Sequence, residues 1–185
     1  TFCLAREQYA FVSHFIGDLE NQETLDSYEQ AVGHYEKLFR VHPQALACDL
    51  HPDYLATRYA QARSRQEDLP LTAVQHHHAH LAACLAENAW ETDEPAIGLI
   101  YDGTGYGTDG SIWGGEILIG GYQNFERRFH LLPVPLPGGD LAVQKPARTA
   151  LSWLDAAGIP AEEYHLPPNS ALGDEEREVV RAQVK

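Results

Sequence analysis

Apolar and polar residues alternate along this chain in two periods, one of strands and one of helices. Phe2-Cys3-Leu4 and Tyr9-Ala10-Phe11-Val12 flank the polar Arg6-Glu7-Gln8, so residues 1–15 read as a β-hairpin. After the loop Gly17–Asn21 the period lengthens. Leu25, Tyr28, Val32, Tyr35, Leu38 and Phe39 recur at steps of three or four, which predicts a helix over about 23–40 with one apolar face. Pro43 is expected to stop it. Ala45–Leu50 has the length of a strand. Asp49 and His51-Pro52-Asp53 fall at its carboxyl end, where open α/β sheets keep ligands. Asp53 or a neighbour is expected to cap a helix carrying Tyr54, Leu55, Tyr59 and Ala62.

Residues 70–75 read as another strand, and 77–90 as a helix burying Leu81, Cys84 and Leu85. Asp93-Glu94-Pro95 breaks the chain before a buried strand over 96–102. A glycine-rich loop follows, then a strand over 112–122 with an antiparallel partner over 125–132. Residues 133–140 form a Pro/Gly connector. A helix over 145–157 turns Ala150, Leu151 and Leu154 inward, and 174–185 reads as an exposed helix. Strands alternate with helices in the middle while hairpins flank both ends. The class is mixed α/β, in one domain over 1–185.

Charge narrows the partners. Twenty-seven acidic residues against 13 basic ones give a formal net charge of -14, and such a surface repels nucleic-acid phosphates. No apolar run has membrane-spanning length and no signal pattern opens the chain, so a cytoplasmic location without membrane contact is expected. Cys3, Cys48 and Cys84 are too few and too scattered for a disulfide framework or a zinc cluster. Each reads as a small buried hydrophobe. The chain begins with Thr1 and contains no Met, which suggests a piece of a longer protein.

Two stretches carry chemistry. The first is Val74-Gln75-His76-His77-His78-Ala79-His80. On a helix His76 and His80 are i and i+4, so their rings share one face and can share a metal ion. His77 and His78 point elsewhere. Neutral imidazole suits Zn, Fe, Co or Ni better than Ca or Mg. The residue after His76 is histidine, not the glutamate base of a His-Glu-x-x-His protease. The alternative is a histidine-rich helix end that satisfies backbone groups.

The second is Asp102 with Gly103-Thr104-Gly105-Tyr106-Gly107-Thr108-Asp109-Gly110. Residues 105–110 match Gly-x-Gly-x-x-Gly, but that dinucleotide motif opens a helix, and here a strand follows. Three alternating glycines permit φ > 0 and can aim successive N–H groups at an anion. The alternative is a tight glycine hairpin. Asp102 favours chemistry, because a carboxylate closing an apolar strand is costly to bury unless paired or metal-bound.

These motifs together resemble one family. Val74–His80, Asp102–Gly107 with Asp109-Gly110, and Trp113-Gly114-Gly115-Glu116 are similar to the hydrogenase maturation factors of the HypF family. Ile16–Asn21, Cys48–Tyr54 and Leu136–Asp140 fit the same family in the same order. The resemblance covers residues 1 to about 154. It implies an actin/Hsp70/sugar-kinase-like (ribonuclease H-like) lobe, with a mixed sheet and flanking helices. Residues 1–185 would be the N-terminal lobe of the carbamoyltransferase domain, related to the proteins that make threonylcarbamoyladenosine in tRNA.

The implied activity is transfer of a carbamoyl group from carbamoyl adenylate to the C-terminal cysteine of HypE, with carbamoyl phosphate and ATP as substrates of the full-length protein. The resemblance carries a divalent metal (Fe, Zn or Mg) onto His76, His80 and Asp102. A further aspartate is expected from the second lobe. Nucleotide binding is assigned to Gly103, Thr104, Gly105, Tyr106 and Gly107. Gln144-Lys145-Pro146-Ala147-Arg148 departs from the family by lacking an aromatic beside the arginine. Two other readings remain: a tRNA-modifying relative, which the acidic charge disfavours, and a metal- and nucleotide-binding module without transfer activity.

Overall fold

The computed structural model describes residues 1–19, 21–160 and 167–184. They form a mixed α/β chain in two compact units, 1–129 and 130–185.

The first unit opens with the hairpin β1 (Cys3–Arg6) and β2 (Tyr9–Val12), antiparallel with Cys3 opposite Val12. Helix α1 (Gln22–Phe39) begins where the Asn21 side chain accepts the Thr24 N–H at 2.9 Å, one residue before the predicted start. It ends at Arg40, which takes a left-handed φ of 53°. Pro43 therefore does not stop the helix. The Arg6 guanidinium donates to the carbonyls of Phe39 and Arg40, covering acceptors that a helix end leaves open.

Strand β3 (Leu46–Asp49) pairs in parallel with β4 (Leu71–Val74), and α2 (Leu55–Glu67) crosses between them. Asp53 does not cap α2. Tyr54 takes that position without a capping hydrogen bond from its side chain, and Asp53 instead pairs with Arg58 at 2.7 Å. A cavity of about 930 Å³ is lined by both β1 and β3 and by the apolar Tyr28, Val32, Val41 and Ala60.

Helix α3 (His76–Glu87) follows β4 after one residue. Its Leu81 and Leu85 pack on Ile100 of β5 (Ala96–Ile100) and Leu118 of β8 (Glu116–Gly120), with Trp90 and Phe125 against the same cluster. Strands β5 and β8 are antiparallel, Ile100 facing Glu116, and β9 (Phe125–His130) adjoins β8. Strand β5 is buried on one face only. Gly98 and Ile100 point in, whereas Ile97, Leu99 and Tyr101 are exposed, so the expected fully buried strand is corrected to a half-buried one.

Between β5 and β8 lies a two-residue ladder, β6 (Gly105–Tyr106) with β7 (Ile112–Trp113). The expected continuous strand over 112–122 breaks at Gly114-Gly115, where Gly115 takes φ 83°.

The second unit contains α4 (Asp140–Gln144), α5 (Pro146–Ala156), α6 (Pro167–Ser170) and α7 (Asp174–Val184). Leu151, Leu172 and Val180 form its core. Helix α7 was expected to be exposed, yet Val180 is 1% exposed. The acidic first turn hides this from a composition reading, while Val180, with Val184 packed against the same core, gives the helix an inner face. Arg148 is buried, donating to the Pro137 carbonyl at 2.7 Å and to Glu176 at 2.6 Å.

The cysteines are free, as expected. Cys3 and Cys84 are exposed rather than buried, however, and Cys48 is half-buried. Among the described residues no helix is long and apolar enough to cross a membrane.

Candidate metal centre and glycine loop

The short step from β4 to α3 sets the histidines in place. Gln75 caps α3, its side-chain oxygen accepting the His78 N–H at 2.8 Å. This fixes the first turn and aims successive imidazoles in different directions.

His76 and His80 share a face. Their Nε2 atoms stand 3.3 Å apart, and Asp102 Oδ2 lies 2.7 Å from the first and 3.1 Å from the second. The three candidate ligand atoms all lie within 4.8 Å of one another. Asp102 sits two residues past the end of β5, on the turn into the glycine loop. Two imidazole nitrogens and one carboxylate oxygen at a half-exposed point suit a borderline divalent ion.

The other two histidines do structural work. His77 is fully buried, with Nδ1 3.1 Å from Gln75 Nε2 and Nε2 3.4 Å from the Asp102 carbonyl. His78 places Nε2 2.7 Å from the Gly121 carbonyl and packs on Phe125. Both point away from the cluster, as the helical spacing predicts.

Asp49 enters the same cluster from β3. Its Oδ2 lies 2.8 Å from His76 Nδ1, and its Oδ1 accepts the His51 N–H at 2.8 Å. The sequence showed Asp49 at a strand end; the signal was its place at the carboxyl edge of a parallel strand.

The electrostatics follow from these contacts. Burial pulls the His76 imidazole down, but hydrogen bonds to Asp49 and Asp102 override it and hold the ring above its ordinary value. Burial raises Asp102, and bonds from His76 and His80 more than offset that, leaving it below the usual carboxylate range. Burial keeps the His77 ring low and neutral.

The glycine loop owes its residues to crowding more than to backbone strain. None of Gly103, Gly105 and Gly107 takes a positive φ; Gly110 does, at 79°. This corrects the expectation that the alternating glycines serve left-handed geometry. Gly105 lies against the His77 ring, and Gly107 against Trp113 Nε1 and Asp109.

Asp109 closes the turn. It accepts from the Ser111 hydroxyl at 2.7 Å, the Ser111 N–H at 3.0 Å and Trp113 Nε1 at 2.9 Å. These bonds, the Ser111 hydroxyl foremost, hold its carboxyl down to about 2. By contrast, no backbone or side-chain hydrogen bond among the described residues uses the N–H of Gly103 or Thr104.

Behind the loop is a brace that the sequence did not reveal. Glu116, 1% exposed, accepts both Arg127 Nε at 2.6 Å and Nη2 at 3.0 Å, and also the Gly114 N–H. The Arg127 guanidinium lies 4.0 Å from the Trp113 ring centroid. The available signal was a lone acid at the start of an apolar strand, which demands a buried partner.

Comparison with known proteins gives the family. Residues 1–87 match the family described as the HypF Kae1-like domain, and residues 98–185 the one described as "Carbamoyltransferase, Kae1-like Domain, second subdomain". Carbamoyltransferase HypF of Rhodobacter capsulatus is 49% identical over 158 residues, 85% of this chain and 21% of that protein. A carbamoyltransferase HypF homolog of Cupriavidus necator is 39% identical over 186 residues, 99% of this chain and 46% of that protein. A crystal structure of full-length HypF in a phosphate- and nucleotide-bound form superposes with a TM-score of 0.79 at 43% identity. It covers 98% of this chain and 23% of that one.

The chain thus carries a Kae1-like, mixed α/β domain. It belongs to the HypF family. It spans about a fifth of the Rhodobacter relative's length and just under half of the Cupriavidus homolog's.

Proposed function

We propose that residues 1–185 hold the metal-binding side of a carbamoyl-transfer site used in NiFe hydrogenase maturation. The chain would be the N-terminal, actin-like lobe of the transferase domain within a longer cytoplasmic protein. The carbamoyl donor is carbamoyl adenylate, made from carbamoyl phosphate and ATP elsewhere in that protein. The acceptor is the C-terminal cysteine of HypE. The observation that carries the reading is the convergence of His76, His80 and Asp102 on one point, directly before the Gly103–Gly107 loop.

In the transfer the HypE thiolate sulfur bonds to the carbamoyl carbon. The carbon–oxygen bond to the adenylate phosphate breaks, and AMP leaves with the electron pair. His76 and His80, through Nε2, and Asp102, through its carboxylate, would hold the divalent ion; two nitrogen donors favour Zn or Fe over Mg. Such an ion supplies positive charge to an anionic phosphate or a developing oxyanion. Among the described residues the N–H groups of Gly103 and Thr104 have no hydrogen-bond partner, and the Thr104 hydroxyl adds a donor. Gly105, Tyr106 and Gly107 complete the loop and bind it to the scaffold through β6. Asp102 repels a phosphate held there unless a cation lies between them, so metal and nucleotide binding should reinforce each other.

The test uses the full-length protein with carbamoyl phosphate, ATP and HypE, read by mass spectrometry of the HypE C-terminal peptide. Wild type should carbamoylate the cysteine, and His80→Ala should lose both metal and transfer. A His80→Ala protein with wild-type metal content and transfer would refute the assignment.

A further inference from the structure

We infer that Asp49 is a positioning residue that fixes His76 as an Nε2 ligand. This rests on the reading that His76, His80 and Asp102 hold a divalent ion. A histidine can ligate through either ring nitrogen, and the hydrogen bond made by the other nitrogen decides which. His76 Nδ1 faces Asp49 Oδ2 at 2.8 Å, while Nε2 faces Asp102 and His80. A carboxylate accepts only, so in the metal-free ring each nitrogen can donate, Nδ1 to Asp49 and Nε2 to Asp102. An ion bound among His76, His80 and Asp102 displaces the Nε2 proton, while Asp49 retains the one on Nδ1, so Nε2 is the ligating atom.

Asp49 is itself held. Its second oxygen accepts the His51 N–H at 2.8 Å, and its carbonyl accepts the Thr57 hydroxyl at 3.2 Å. The carboxylate cannot rotate away without releasing the backbone of the turn after β3. The turn and the ligand orientation are therefore one unit, linking β3 to α3. His80 has no such partner from another element among the described residues, its ring bonding only to His76 and Asp102. Of the two imidazoles, His76 is the one fixed in advance.

Two donors converge on one carboxylate, and this makes asparagine a sharp probe. Asn keeps the size of Asp but offers a single acceptor oxygen. With that oxygen on the His51 N–H, its NH2 faces His76 Nδ1 and drives the ring proton onto Nε2, the atom the ion needs. Loss of such an outer carboxylate costs about 10–100-fold in metal affinity.

The experiment titrates Co2+ into full-length wild type, Asp49→Asn and His80→Ala. The site's signal is the absorbance that His80→Ala lacks, and thermal midpoints report folding. Asp49→Asn should keep its midpoint and bind Co2+ at least tenfold more weakly, with an altered spectrum. The Co2+-loaded wild type should also show a strongly shifted, exchangeable imidazole N–H proton by NMR. It should persist in H2O, vanish in D2O and be missing from Asp49→Asn. A folded Asp49→Asn with wild-type affinity and spectrum overturns the inference and leaves the metal site standing. Wild type indistinguishable from His80→Ala overturns the metal reading itself. Should Asp49→Asn fail to fold, the wild-type proton decides: its absence overturns the inference and its presence upholds it.

Discussion

A Cβ on Gly105 would stand 2.5 Å from Cε1 and 2.7 Å from Nδ1 of His77. The ring cannot yield, because it is fully buried and lies between Gln75 and the Asp102 carbonyl. Glycine here is a condition for docking the loop on α3. Gly105→Ala should therefore destabilise the protein by about 1–3 kcal/mol through overpacking, seen as a lower urea midpoint. Gly103 has open space around its Cβ position and no positive φ. Gly103→Ala should keep the midpoint and weaken nucleotide binding, by crowding the side from which a phosphate approaches. Calorimetric titration checks the second half, and unchanged affinity would count against the cradle.

Glu116 is the buried end of the brace, so its loss should be felt in folding. Glu116→Ala removes both acceptors of Arg127 and the acceptor of the Gly114 N–H. A cost of about 3 kcal/mol is expected, typical of breaking a largely buried pair from one side. Arg127→Ala together with Glu116→Ala should cost less than the sum of the two single changes. Additive urea midpoints would show that the pair does not brace the loop.

The approach of His76 to His80 was legible because helical spacing fixes i and i+4 on one face. Asp102 was legible as a carboxylate beside an apolar strand. The Asp49 contact was not, because it joins residues 27 apart across a parallel strand pair, and spacing carries no such information. The break at Gly114-Gly115 was hidden by an apolar run that reads as one strand. The inner face of α7 was hidden by the acids of its first turn. Helix ends were shifted by Asn21, Arg40 and Tyr54, where local cap geometry outranks the pattern of apolar residues.

The charges of the cluster set its response to pH in the metal-free protein. His76 is raised above its ordinary 6.5, so its stabilising contribution is full below 6.5 and fades as pH rises through the raised value. Asp102 is lowered below 3.8, so its contribution is full above 3.8 and fades as pH falls through the lowered value. The cluster stabilises the metal-free fold most between these limits. His76→Gln should flatten the pH dependence of the urea midpoint at both ends of that window. An unchanged profile would mean that the pair contributes nothing to folding.

In the second unit, Val180 is the discriminating residue. It is 1% exposed against Leu151 and Leu172, whereas its neighbour Val179 is 48% exposed. Val180→Ala should cost about 2 kcal/mol, and Val179→Ala less than about 0.5 kcal/mol. Equal effects in urea unfolding would contradict the packing of α7.

The central claim is that His76, His80 and Asp102 hold one divalent ion. Anomalous diffraction at a metal edge, from crystals of the metal-loaded full-length protein, tests it most directly. The account predicts a peak about 2.0–2.2 Å from Nε2 of both His76 and His80 and from a carboxylate oxygen of Asp102. A fully loaded crystal with no peak there, or with the ion on His77 or His78 instead, would contradict it.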